Sequence, residues 1–168
     1  IRETTGNHFT IYVGAYPECH PESPNFNTEL FFYKEKIESG ANAAITQYFF
    51  SVDAYHYYRE HCEHLKIHAP IIPGIMPIMQ FEKLQRFSKR CQAEIPRWLC
   101  KRLESYQHAP ESLIKFGIDM SSRLCEDLIQ SGAPALHFYT LNSATPCDQI
   151  IQNLSPILQP TTIEVTSE

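Results

Sequence analysis

The chain has 168 residues, 43% of them hydrophobic and 20% charged, the balance of a globular domain with a sizeable core. Its net charge of −5 argues against general nucleic-acid binding, which needs a basic face to neutralise phosphates. No apolar stretch approaches the roughly 20 residues that cross a bilayer, so no membrane association is expected.

The first residues, Ile1-Arg-Glu-Thr-Thr-Gly-Asn-His8, are polar, do not resemble a signal peptide, and read as a loop or frayed end. Residue 1 is Ile rather than Met, so this end is not read as a native start. A first strand is expected over 10–15. Pro17, Pro21 and Pro24 then hold the chain extended, because proline blocks a helix and biases its predecessor to β. A helix begins near Asn27 or Thr28, runs through Leu30, Tyr33 and Ile37, and ends at Gly40. A second strand covers 43–48. Ser51 or Asp53 caps a helix over 54–65.

A third strand spans 70–75, with Pro73 and Gly74 bending its end. Helices follow over 80–91, from Pro96 to 105, and over 110–131, the last ended by Gly132. The final strand is 136–141 and the final helix 146–154. The polar tail 159–168 is expected to be loose.

Short apolar runs ending in polar or turn-forming residues are the signature of buried parallel strands, which place chemistry at their carboxyl ends. The alternation of strand and helix makes this an α/β chain, read as a single domain over 1–168. Four β/α units match half of a (β/α)8 TIM barrel. A half barrel leaves two open edges and a bare inner face. Each inward apolar side chain left wet forfeits roughly 1.5–3 kcal/mol. With two or three per strand the loss is on the order of tens of kcal/mol, more than the roughly 5–15 kcal/mol margin of a domain. The chain is therefore expected to pair with a missing half or a second copy, and a homo-oligomer is expected. An open flavodoxin-like sheet, which needs no closure, is the structural alternative.

Gln47 ends an apolar strand. Its amide suits a planar heterocycle with amide-like edges, or else satisfies loop backbone. Tyr16 and His20 sit just beyond the first strand, where a ring could stack and an imidazole could meet a phosphate or ribose; ordinary loop groups are the alternative. Lys36, between Glu35 and Glu38, is read as a solvated helix face unless a phosphate lies beside it. His56, His61, His64 and His68 lie near Cys62 without a zinc motif, so no metal is expected. The stripe Tyr48, Phe49, Phe50, Tyr55, Tyr57, Tyr58 is read as core packing. No glycine-rich dinucleotide loop, Walker loop or nucleophile elbow occurs. The six cysteines are scattered and never form Cys-x-x-Cys, which reads as reduced thiols in a cytoplasmic protein.

Five stretches in order carry a resemblance: Tyr16-Pro-Glu-Cys-His-Pro-Glu22, Lys36 through Gly40-Ala-Asn-Ala-Ala-Ile-Thr-Gln47-Tyr-Phe-Phe, Pro70-Ile-Ile-Pro-Gly-Ile-Met-Pro77, Arg90-Cys-Gln-Ala-Glu-Ile-Pro96 and His137-Phe-Tyr-Thr-Leu-Asn142. Over 13–142 the chain resembles the methylenetetrahydrofolate reductase family, bacterial type. The resemblance implies a flavin-bearing (β/α)8 barrel, with this chain as strands five to eight. It implies hydride transfer from NADH or NADPH to FAD, then to 5,10-methylenetetrahydrofolate, giving 5-methyltetrahydrofolate in one-carbon and methionine metabolism. Carried over, Tyr16, His20, Ser23, Glu29 and Lys36 correspond to FAD contacts, and Gln47, Lys83 and Phe87 to substrate contacts.

Some positions depart from the family pattern. Glu29 stands for an Asp, Phe32 for an Asn, Glu35 for an Arg, Lys83 for a Gln and Ser143 for an Arg. The family's general-acid glutamate lies on the first barrel strand, so no catalytic residue is expected in this chain, and alone it is expected to be inactive. The alternative is a non-catalytic truncated relative that serves as a flavin-binding or assembly module.

Overall fold

The computed structural model describes residues 1–158. The elements run α1 (Arg2–Thr5), β1 (Tyr12–Ala15), α2 (Phe26–Glu38), β2 (Ala43–Tyr48), α3 (Val52–His64), β3 (Ile71–Ile75), α4 (Phe81–Cys91), α5 (Arg97–Glu104), α6 (Pro110–Gln130), β4 (His137–Phe138) and α7 (Thr145–Leu158). The strands form one sheet in the order β1-β2-β3-β4, each pair parallel. Spatial order equals chain order, so every crossover advances the sheet by one strand in one direction. A flavodoxin-like sheet reverses its order at a switch point. No reversal occurs among the described strands, which removes that alternative.

The layers follow from the pleat. Ala15, Ala44, Ile71 and Ile75 point to one face, where Leu30 and Tyr33 of α2, Tyr55 and Tyr58 of α3, Leu128 of α6 and Ile150 of α7 cover them. The intervening residues point the other way. Ile45 and Ile72, paired across β2 and β3, are only partly buried, and Tyr12 is 53% exposed. This chain therefore clothes one face of its sheet and leaves the other largely bare. A second apolar cluster caps the carboxyl ends of β2 and β3, built from Tyr48, Phe50, Met76, Ile78, Leu84 of α4 and Leu99 of α5.

Local signals explain most boundaries, and several differ from expectation; β1 begins two residues later and α3 two residues earlier than read. Helix α2 starts earlier, because Asn25 caps it: its Oδ1 accepts the Thr28 N–H at 2.9 Å. Its end is as read, with Gly40 at φ 102°, the left-handed turn where glycine costs least. Residues 2–5 form a helical turn rather than a frayed end. The Arg2 guanidinium explains this, donating to the Gly40 carbonyl at 2.8 Å, the Phe9 carbonyl at 2.9 Å and Asn42 Oδ1 at 2.6 Å. Strand β4 keeps only His137–Phe138 of the expected 136–141, because Leu141 and Asn142 turn the chain with positive φ. Helix α7 extends four residues beyond its expected end, carrying Pro156 inside it. Of the aromatic stripe, Tyr57 alone lies outward, 52% exposed. The expected loose tail lies outside the described residues. No helix among those described is long and apolar enough to cross a membrane.

Candidate functional site

Ala15 pairs with Thr46, so Tyr16 and Gln47 follow at matching positions on the carboxyl ends of neighbouring strands. The Tyr16 ring folds back over Gly14, where a Cβ would meet its Oη at 3.2 Å. His20 stands edge-on to that ring with centroids 4.5 Å apart. From α2, Lys36 Nζ lies 5.5 Å from the Tyr16 ring centre and donates to the Gly14 carbonyl at 3.0 Å. Burial raises the Tyr16 phenol above its ordinary value, and the Glu29 carboxylate adds to the rise.

Glu29, in the first turn of α2, is 2% exposed. Its Oε2 accepts the Ser23 hydroxyl at 2.8 Å and the His20 N–H at 3.4 Å. Among the described residues its Oε1 is buried with no partner. A buried carboxylate oxygen without a donor is costly, and a ligand hydroxyl would relieve it. Tyr16, His20, Ser23, Glu29 and Lys36 all line one groove of about 770 Å³. Arg2, Phe32 and Glu35 line it too.

Gln47 lies half-buried where β2 bulges. Its Oε1 accepts the Tyr48 N–H at 3.0 Å, which fixes the flip of the amide, since only the oxygen can accept. Its Nε2 has no protein partner among the described residues. Lys83 and Phe87 of α4 line a separate cavity of about 220 Å³ with Tyr139 and Ser143. Gln47 lines neither this cavity nor the groove. The structure thus gathers Tyr16, His20, Ser23, Glu29 and Lys36, the five expected to contact FAD, at one place and Lys83 and Phe87 at a second, and sets Gln47 apart from both.

Sequence reasoning missed three participants. Thr46 and Tyr139 brace the bulge at Gln47. Glu18, in the loop with Tyr16 and His20, accepts the Glu94 N–H at 2.8 Å and so ties this loop to the α4–α5 connection. Burial pushes its carboxyl up to about 7, and the Glu94 charge adds to the rise against that hydrogen bond. Nothing local marks the Glu18 contact, which joins residues 76 apart in sequence. A cavity of about 850 Å³ lies away from Gln47, between the start of α3, α5 and α6, with Glu18 at its margin. Among the described residues no group of three or more His, Cys, Asp or Glu is placed to hold a metal, and all six cysteines are unpaired.

Fold and rim together define a class: a parallel α/β protein with polar side chains converging at the strand ends, where such folds bind their ligands. The family model for methylenetetrahydrofolate reductase matches residues 1–155, and the chain belongs to that family. It is 37% identical to the probable methylenetetrahydrofolate reductase (NADPH) of Caenorhabditis elegans, over 92% of this chain and 23% of that protein. It is 39% identical to the 5,10-methylenetetrahydrofolate reductase of Buchnera aphidicola, over 81% of this chain and 47% of that protein. The chain therefore spans less than half the length of either relative. A solved structure from Clostridium thermocellum, described as an uncharacterised protein that binds two copies of 5-methyl-5,6,7,8-tetrahydrofolic acid, superposes with a TM-score of 0.61. The identity is 21%, over 93% of this chain and 56% of that one, a likeness of fold alone.

Proposed function

We propose that this chain supplies strands five to eight of a (β/α)8 barrel that acts as a methylenetetrahydrofolate reductase in the cytoplasm. The reading assigns to FAD the transfer of hydride from NADH or NADPH to 5,10-methylenetetrahydrofolate, yielding 5-methyltetrahydrofolate. The convergence of Tyr16, His20, Ser23, Glu29 and Lys36 on one groove, with Glu29 Oε1 left unpartnered, is the observation that carries it.

The groove fits such a group. Its volume of about 770 Å³ suits a cofactor site, and its donors and acceptors match a dinucleotide. Glu29 would accept a ribose hydroxyl, Lys36 would face the diphosphate, and Tyr16 and His20 would border the group. Gln47 keeps Nε2 to donate to the edge of a pterin or nicotinamide. Lys83 would meet a folate carboxylate, and Phe87, 38% exposed, would lie against the bound substrate. No side chain here is assigned as the general acid, so turnover is assigned to the closed barrel.

Phe32 and Glu35 support a second reading, a flavin-free assembly module. Both line the groove where the family carries Asn and Arg, and a carboxylate there disfavours a diphosphate. Titration of the purified chain with FAD, followed by flavin fluorescence, decides between them. Saturable quenching, weakened about tenfold or more by Glu29→Ala, is the expected result. A chain that leaves FAD fluorescence unchanged and yet self-associates supports the assembly module. Co-expression with a complementary amino-terminal half is expected to give NADH–menadione activity that neither half shows alone.

A further inference from the structure

The register of β2 on β3 breaks after Ile45. Ile45 pairs with Ile72, yet Tyr48 pairs with Gly74, so three steps along β2 match two along β3. Such a bulge frees ladder groups and re-aims side chains. Three groups around it have specific partners. The Gly74 N–H donates to Thr46 Oγ1 at 2.8 Å, in a buried bond. The Thr46 carbonyl, one half of the Thr46–Gln47 peptide, accepts the Tyr139 hydroxyl at 2.9 Å. The Tyr48 N–H donates to Gln47 Oε1 at 3.0 Å.

Tyr139 belongs to the far side of the sheet, just past β4, and must reach across β3 to do this. It can because residue 74 has no side chain: a Cβ there would lie 2.6 Å from Tyr139 Cε2 and nearer still to the Thr46 carbonyl oxygen. The ring is steadied edge-on by His137 at 4.9 Å and Tyr48 at 6.4 Å. Burial raises the Tyr139 phenol, so it remains a donor at neutral pH.

We infer that Tyr139 and Thr46 are positioning residues for Gln47. Together they hold the peptide before it and leave its Nε2 as the donor offered to a heterocycle with an amide-like edge, with Gly74 as the gap that admits Tyr139. The inference rests on the reading that Gln47 meets the ligand. Gln47 then owes its direction to a hydroxyl that reaches the preceding residue, Thr46, from 93 positions away in sequence.

Tyr139→Phe removes the hydroxyl and keeps the ring. In the full 168-residue chain, two quantities are measured. One is the order of the Gln47 side-chain amide by ¹⁵N relaxation, and the other is affinity for 5-methyltetrahydrofolate. Tyr139→Phe is expected to lower the amide order while the helices keep their chemical shifts. It is expected to weaken the probe by about threefold to tenfold, and to cause no further loss when Gln47 is already Ala. Thr46→Ser, which keeps its hydroxyl, is expected to retain the amide order, and Thr46→Val to lose it. An unchanged Gln47 amide in Tyr139→Phe, or additive losses in the double variant, overturns the inference. If the unsubstituted chain binds the probe neither alone nor with a complementary amino-terminal half, the functional reading falls. The amide order then still decides whether Tyr139 positions Gln47.

Discussion

Glu18 makes stability depend on pH. Its carboxyl rises from an ordinary 4.5 to about 7, first through burial and then through the Glu94 charge, while the Glu94 N–H bond pulls the other way. The folded chain therefore holds this proton more tightly than the unfolded one. Glu18's contribution is complete below the unfolded value and is lost as pH rises through about 7. Glu18→Gln, which can still accept the Glu94 N–H, is expected to remove this fall, so the variant melts higher than the parent at pH 8 and no higher at pH 4. Melting curves across that range check it; parallel curves would sink the assignment. Among the site residues, Tyr16, His20 and Gln47 were legible as candidates because each stands at or just past a predicted strand end, whereas Lys36 by itself read as a solvated helix face. Ser23 and Glu29 rested on resemblance alone. Glu18, Thr46 and Tyr139 were illegible as site residues because their roles are made by partners distant in sequence, which no local pattern encodes.

At the scale of elements, α6 lies against the turn after β3 through Gly117. A Cβ there would stand 3.0 Å from Ile78 Cβ and closer still to the Ile78 carbonyl. Alanine gains about 1 kcal/mol of helix propensity over glycine. Overpacking against a fixed backbone carbonyl costs about 1–3 kcal/mol, and Ile78 is itself 1% exposed, with little room to yield. Gly117→Ala is thus expected to be destabilising in urea unfolding, the reverse of the propensity change; a stabilised variant would show that α6 can slide. The bulge in β2 is a feature of the same kind. The short apolar run Ala43-Ala-Ile45, ending in Thr-Gln-Tyr, predicted a strand over the right residues but not the extra one. A bulge is defined by pairing with β3, and pairing is not written in one strand. Strand β4 was read too long for a related reason: the apolar run continues through Leu141, but the turn at Leu141 and Asn142 wins locally.

For the whole molecule, the bare sheet face dominates. Tyr12, Ile45 and Ile72 lie where a closed barrel would bury them, and the two edges β1 and β4 carry unpaired backbone groups. The chain is expected to self-associate or to bind a complementary half at micromolar concentration. Light scattering showing a stable single-chain mass throughout that range would overturn this. The sequence alone determined the α/β class, the order of the elements and the polar residues at the strand ends, because hydrophobic period, proline, glycine and caps act within a few residues. Only the tertiary structure decided that the strands advance one by one in a single direction. Only it decided that Glu29 is buried with a free oxygen, and that Gln47 is steered from β4 across β3. Each of these depends on contacts between segments far apart along the chain, whose free energy exists only once the sheet has formed.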